Sequence, residues 1–181
     1  MVGFLFFLFG LFVTLGMCFV AARSDFRGFR IPNMVSVVII GAFALSFGIL
    51  TLTGQREVFF RPLGTHLGAS FLVLMVTMAM FALKQLGAGD SKFATAVALW
   101  VGLPGLVPFL FYMALSGGVV AGISLYLRKH KVVENPKEGS WIDVAQKGGG
   151  SVRYGIAIAI GAWAAFLFQG YFTPANWGKM F

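Results

Sequence analysis

Two aspartates lie at the edges of long apolar runs. Asp90 follows Gly87-Ala88-Gly89 and precedes an apolar run that begins at Phe93, and Asp25 follows the apolar run at the N-terminus. A charged side chain close to lipid costs about 2.5 kcal/mol or more, so acids in such positions tend to be functional. Two carboxyl groups in one sheltered pocket, one protonated and one ionised, can activate water and polarise a carbonyl group, which is the chemistry of an aspartic protease.

The same residues also have an ordinary interpretation. Asp25 has Arg23 and Arg27 as neighbours and Asp90 has Lys92, so each acid could form an ion pair at the membrane edge. The spacing alone leaves both interpretations open.

The composition is that of a polytopic membrane protein. Of 181 residues, 59% are hydrophobic and only 11% are charged, with 24 glycines and 21 phenylalanines, which is too little polar surface for a soluble domain. The length fits one domain. The net charge of +8 comes from basic residues placed between apolar runs, so it indicates membrane topology and a lipid partner, and no nucleic acid.

The residue types that bind metals are sparse. Cys18 is the only cysteine and lies within an apolar run, which excludes disulfides and thiolate zinc sites. His66 and His130 are far apart and have no acidic companions at ligand spacing. We therefore predict no metal and no cofactor.

Apolar periodicity and breaker residues predict an all-α protein with six transmembrane helices. The run from Phe93 to Leu127 would be about 50 Å long as one helix, well beyond a hydrocarbon core of about 30 Å. We expect it to break at Leu103–Pro108, where two prolines flank a glycine. Small-residue spacing predicts close packing at Gly64 and Gly68 and at Gly118 and Gly122. The predicted helices cover about residues 2–22, 32–53, 63–83, 91–102, 107–127 and 152–172.

The distribution of basic residues supports this division. With six helices, loops one, three and five share one side of the membrane and hold most of the 14 basic residues. A single helix from Phe93 to Leu127 would nearly remove this asymmetry. By the positive-inside rule, both termini lie on the non-cytoplasmic side, and Asp25 and Asp90 lie together on the cytoplasmic side.

Two motifs resemble a known family. The segment from Asp25 to Ile31-Pro32-Asn33 and the Gly87-x-Gly89-Asp90 segment, with Lys92 after it, are similar to the two aspartate motifs of the type IV prepilin peptidases, which are Gly-x-Gly-Asp aspartic proteases. The resemblance extends over almost the whole chain as one membrane-embedded domain. It implies an endopeptidase of the bacterial inner membrane that cleaves the short basic leader from prepilins or pseudopilins at the cytoplasmic face. It also implies that Asp25 and Asp90 are the catalytic pair and that no metal is needed.

Within that family, the chain resembles the short, peptidase-only branch that serves Flp/Tad pili. Larger members carry a cytoplasmic domain with paired cysteines that methylates the new N-terminus, and this sequence shows neither feature, so no methyltransferase domain is expected. Tyr154-Gly155-Ile156-Ala157 resembles the closing motif of the family, with Arg153 where proline is common.

Five further residues are predicted to support the site. Gly87 and Gly89 would give a substrate strand access to the backbone near Asp90, or they would merely end the third helix. Lys92 would stabilise charge near the acids or mark the cytoplasmic edge. Pro32 and Asn33 would set the start of the second helix and hold the Asp25 loop in place.

The polar stretch 128–151 offers acids that could attract a basic leader, namely Glu134, Glu138 and Asp143. The alternative from another class is a small ion- or proton-coupled transporter or channel subunit that uses the same acids. Such proteins often consist of two repeated halves. No convincing repeat relates residues 1–90 to residues 91–181, which favours the peptidase.

Overall fold

The structure, a computed structural model, describes residues 2–27, 30–130, 133–136, 138, 140–147 and 154–178. All regular structure within these residues is helical, which confirms the predicted all-α class. The helices are α1 (Val2–Phe26), α2 (Asn33–Leu52), α3 (Arg56–Phe59), α4 (Leu63–Ala82), α5 (Ala88–His130), α6 (Trp141–Gln146), α7 (Tyr154–Phe168) and α8 (Pro174–Trp177). The start of the predicted sixth helix at 152, and Arg153, lie outside the described residues.

The outer surface of the bundle is apolar. Phe12, Phe71 and Phe111 are each at least 60% exposed, and many other large apolar side chains face outward. Four of the described helices, α1, α2, α4 and α5, are long and apolar enough to cross a membrane, and α7 is a shorter apolar helix of 15 residues. A surface of this kind is compatible with lipid and not with water, so the protein is a membrane protein.

Helices α1 and α7 run antiparallel. At one end of the bundle, Gly155 near the start of α7 lies against Asp25 near the end of α1. At the other end, the ring of Trp177, after α7, lies 5.8 Å from the ring of Phe4 at the start of α1. We call these the acid end and the opposite end of the bundle.

Helix α4 runs antiparallel to the first half of α5, residues 88–102. The hydroxyl groups of Thr77 and Ser91 lie 2.8 Å apart at the acid end, and His66 Nδ1 lies 2.8 Å from the carbonyl oxygen of Leu99 toward the opposite end.

The second half of α5, residues 103–130, runs antiparallel to α7. Gly105 lies beside Gln169 at the opposite end, and Gly117 lies beside Ala157, closer to the acid end. The chain therefore reverses its direction across the bundle within α5.

The reversal takes place at Gly102. Its backbone angles, φ 61° and ψ 177°, lie in a region that is open essentially only to glycine. The break thus precedes the predicted turn at Leu103–Pro108, whose residues are already helical. Pro104 falls in the first turn of the second half, where the missing N–H costs nothing, so the proline begins the new helix instead of forming the turn.

Side chains from other parts of the chain provide hydrogen-bond donors at this break. Pro104 has no N–H for the carbonyl oxygen of Trp100, and the Tyr171 hydroxyl donates to that oxygen at 3.0 Å. His66 lies against the Leu99 carbonyl, which can only accept, so the Nδ1 atom of His66 carries the proton. Buried carbonyl groups need hydrogen-bond donors, and the surrounding core supplies them at this break.

Aromatic rings surround the break. Trp100 is fully buried, and its ring centroid lies 5.7 to 6.4 Å from those of Phe60, Phe43 and Phe7. The Trp100 Nε1–H donates to the carbonyl oxygen of Ile39 at 3.1 Å. This cluster joins α1, α2 and α5 around the end of the first half of α5.

The glycines that allow close packing differ from those predicted. A side-chain carbon at Gly118 or Gly122 would meet nothing within 4 Å among the described residues, so the prediction of packing there is wrong within this chain. At Gly161 the same carbon would lie 2.7 Å from the Phe109 carbonyl oxygen. The α5–α7 contact therefore depends on a glycine of α7, which spacing within α5 cannot reveal.

Candidate active site

Asp25 lies in the last turn of α1 and is only 7% exposed. The backbone N–H of Gly155, near the start of α7, donates to Asp25 Oδ2 at 2.8 Å. A hydrogen bond to a carboxylate is among the stronger ones in proteins, and it fixes the orientation of this side chain. The loop that follows is tied back by the Ser24 hydroxyl, which donates to the Arg30 carbonyl oxygen at 3.3 Å.

Gly155 has no room for a side chain. A β-carbon there would lie 2.9 Å from three atoms: Asp25 Cβ, Asp25 Oδ2 and Ile31 Cδ1. Helix α7 thus comes close enough to α1 for the Gly155 N–H to reach the Asp25 carboxyl group only because residue 155 is a glycine.

Asp90 lies in the first turn of α5 and is half-buried. An acid in this position interacts favourably with the partial positive charge of a helix N-terminus. A β-carbon at Gly87 would lie 2.7 Å from Asp90 Oδ2, so the Asp90 carboxyl group occupies the space that a side chain at position 87 would need.

Ile31 connects the surroundings of the two acids. Its side chain lies against Gly155, the residue that donates to Asp25, and its backbone lies against Gly89, directly before Asp90. A β-carbon at Gly89 would be 3.2 Å from the Ile31 carbonyl oxygen. The structure therefore places both acids at the acid end, on either side of Ile31. Gly89 packs closely against Ile31, and Gly87 is the more exposed of the two glycines.

Lys92 and Asn33 contact each other. Lys92 Nζ donates to Asn33 Oδ1 at 3.0 Å, which links the start of α5 to the start of α2. Pro32 precedes the first residue of α2 and has φ −65° and ψ 142°, an extended conformation that begins the helix at Asn33. Gly28 and Phe29 of the same motif lie outside the described residues.

The acids predicted to attract the leader differ in their exposure to solvent and in their ion pairs. Glu134 and Glu138 are exposed. Asp143 is buried in α6, and its two carboxylate oxygens lie 2.9 and 3.1 Å from Lys147 Nζ. The hydrogen bond and the charge of Asp143 raise the pKa of Lys147, so the two side chains neutralise each other. Asp143 is therefore poorly placed to bind a basic leader.

Within the described residues, no three His, Cys, Asp or Glu side chains are close enough together to hold a metal ion. His66 is buried in α4 beside the break in α5, and His130 ends α5. The two histidines thus belong to separate parts of the bundle.

The fold defines an all-helical membrane protein with two acids, Asp25 and Asp90, at one end of the bundle. The chain belongs to the type IV leader peptidase family, which it matches over residues 12–122. This range includes both aspartate motifs and confirms the predicted resemblance to prepilin peptidases. Membership indicates a peptidase, and a prepilin as the class of substrate. No curated protein and no solved structure matches the chain.

Gly155 is the site residue whose role could not be predicted from sequence. It lies 130 positions after Asp25 and outside the range of the family match. The Tyr154-Gly155 pair belongs to the segment that resembles the closing motif of the family, and this is the available signal. Its hydrogen bond depends on how α7 packs against α1, which the motif does not specify.

Proposed function

We propose that this protein is a membrane aspartic endopeptidase that removes the short basic leader from prepilins or pseudopilins of the Flp/Tad type. The observation that carries the proposal is that the two acids in the two family motifs, Asp25 and Asp90, lie at the same end of the bundle around Ile31. The chemistry needs no metal or cofactor.

In the proposed mechanism, the two carboxyl groups share one proton. The ionised group accepts a proton from water as the water attacks the scissile carbonyl carbon, and the protonated group donates a hydrogen bond to the carbonyl oxygen. The peptide nitrogen then receives a proton and leaves as the new N-terminal amine. Gly155 holds Asp25 in orientation, and an extended substrate backbone would pair with the exposed backbone of Gly87 beside Asp90.

The proposed topology has six crossings. These are α1, α2, α4, the two halves of α5, and α7, with both termini outside the cytoplasm of a bacterial inner membrane. The antiparallel contacts described above and the reversal at Gly102 support this arrangement. It places the acid end on the cytoplasmic side, with most of the basic residues, where the leader of a prepilin would be presented.

The direct test is co-expression with a prepilin and measurement of leader removal by the shift in pilin size. We expect Asp25→Asn and Asp90→Asn each to abolish processing while the protein still inserts in the membrane. The matched control is Glu57→Gln, an acid that follows α2 at the opposite end and should leave processing intact.

Normal processing by either Asn variant would refute the catalytic pair. Purified protein reconstituted in liposomes should also cut a pilin precursor after the glycine that ends its leader. If it carries protons or ions across the liposome membrane and cuts nothing, the transporter interpretation of the acids would replace the peptidase.

A further inference from the structure

A buried pair of hydroxyl groups joins α4 to the start of α5 at the acid end. Thr77 Oγ1 and Ser91 Oγ lie 2.8 Å apart, and both residues are only 5% exposed. Ser91 directly follows Asp90 near the start of α5, and Thr77 lies in the second half of α4. The pair therefore connects the two helices at the residue next to Asp90.

The direction of this hydrogen bond follows from the other contacts of Thr77. The Thr77 hydroxyl lies 2.7 Å from the Val73 carbonyl oxygen and 3.3 Å from the Leu74 carbonyl oxygen, and both of these oxygens can only accept. The single proton of this hydroxyl is used within α4, so the Ser91 hydroxyl donates to Thr77 Oγ1. A short chain of hydrogen bonds thus runs from Ser91 through Thr77 to the backbone of α4.

The backbone of Ser91 is fixed as well. Its N–H donates to the Gly87 carbonyl oxygen at 3.1 Å, and its own carbonyl oxygen accepts from the Thr95 hydroxyl at 2.8 Å. Because these bonds belong to the first turns of α5, they make Ser91 and the preceding Asp90 parts of one helical segment. Holding the Ser91 side chain therefore also holds the main chain that carries Asp90.

A second side-chain hydrogen bond at the start of α5 is exposed. Lys92 Nζ donates to Asn33 Oδ1, and both residues are open to solvent. Water can replace either partner there, so the net contribution of that bond is small. The bond between Ser91 and Thr77 is buried on both sides, so solvent offers no substitute when it is lost. The buried pair is therefore the stronger constraint on the position of Asp90.

We propose that Thr77 and Ser91 are positioning residues that hold the start of α5, and with it the carboxyl group of Asp90, in the geometry that peptide cleavage requires. Both residues are buried, so they act through Asp90 and do not contact the substrate. This inference rests on the proposed peptidase function. Loss of the pair should lower kcat for leader cleavage and leave KM unchanged, because the pair takes no part in binding.

Two substitutions at Thr77 separate its hydroxyl group from its shape. Thr77→Val keeps the shape and removes the acceptor, whereas Thr77→Ser keeps the acceptor and removes a methyl group. For protein reconstituted in liposomes, we expect Thr77→Val to lower kcat by about 3- to 10-fold, the equilibrium effect of one neutral hydrogen bond. Thr77→Ser should keep the wild-type kcat, although the lost methyl group lowers the thermal midpoint. If Thr77 acted only through stability, kcat per folded molecule would be the same in both variants.

Ser91→Ala removes the donor and should lower kcat as much as Thr77→Val does. Because both substitutions break the same bond, the double variant should be no slower than either single variant. The control is Ser70→Ala, which removes a different bond between α4 and α5, from the Ser70 hydroxyl to the Thr95 carbonyl oxygen at 3.0 Å. That bond lies farther along α5 from Asp90, so the control should keep the wild-type kcat.

Hydrogen exchange of the full chain in detergent gives a readout that does not require activity. In Thr77→Val and Ser91→Ala, the peptide that contains the start of α5 should exchange about 3- to 10-fold faster, and in Thr77→Ser it should not. The inference is overturned if both variants exchange like the wild type, or if both keep the wild-type kcat while Asp90→Asn is inactive. A wild-type chain that cuts no prepilin would refute the proposed function instead, and faster exchange would still show that the pair holds Asp90.

Discussion

Replacing Gly155 with alanine tests the link between α7 and the candidate active site. The added methyl carbon would lie 2.9 Å from both Asp25 Cβ and Asp25 Oδ2. Non-bonded carbon atoms prefer a separation of about 3.5–4.0 Å, so the two helices or the Asp25 side chain must move by about 0.5–1 Å. Ile31 Cδ1, the third close atom, can rotate away, but Asp25 Cβ is fixed to the backbone of α1.

The expected loss of rate follows from this displacement. A shift of about 1 Å in a catalytic group can cost about 100-fold in rate. The hydrogen bond from Gly155 to the Asp25 carboxyl group is worth about 1.5–3 kcal/mol, which corresponds to roughly 10- to 150-fold. The value from the first route lies within the range from the second. We therefore expect Gly155→Ala to lower kcat for leader cleavage by about 10- to 100-fold.

The assay is cleavage of a pilin precursor by protein reconstituted in liposomes, with kcat and KM measured separately. Gly16→Ala is the matched control in α1, because a methyl carbon there meets nothing within 4 Å of the described residues. Gly117→Ala is the control in the α5–α7 contact, with its nearest atom at an ordinary 3.6 Å. Both controls should keep the wild-type rate.

A purely structural role for Gly155 would lower the thermal midpoint without a specific loss of kcat in the folded fraction. If Gly155→Ala folds normally and cleaves within twofold of the wild-type rate, the assignment of Gly155 as the residue that positions Asp25 is wrong.

Three further outcomes are expected. Tyr171→Phe should leave the Trp100 carbonyl without a donor, so we expect it to lower the free energy of unfolding by about 1–3 kcal/mol. The measurement is thermal unfolding in detergent, and an unchanged midpoint would contradict the role of Tyr171 at the break. Glu134→Gln combined with Glu138→Gln should raise KM for a basic leader. Asp143→Asn should leave KM unchanged, because Lys147 already neutralises Asp143. If Asp143→Asn raises KM and the double variant does not, α6 binds the leader. A metal chelator should leave cleavage unchanged, and a loss of activity that zinc restores would exclude the aspartic mechanism.

Several features could be predicted because they depend on local sequence. Long apolar runs predict helices whatever their neighbours are, and Pro32 predicts the start of α2 because its φ is fixed. Helix length predicts that the run must break, and the prolines and glycine of Leu103–Pro108 predict the position to within a few residues. Its location at Gly102 was missed because prolines are compatible with a first helical turn, whereas φ 61° requires glycine.

The sequence by itself determined the all-helical membrane class, the family, and the two acids that carry the proposed chemistry. The tertiary structure alone decided what surrounds them, because contacts between distant helices depend on packing geometry that no local pattern encodes. The approach of α7 delivers the Gly155 amide to Asp25 from 130 residues away. The same packing places His66 and Gln169 around the broken end of α5, where they line a polar cavity at the opposite end of the bundle.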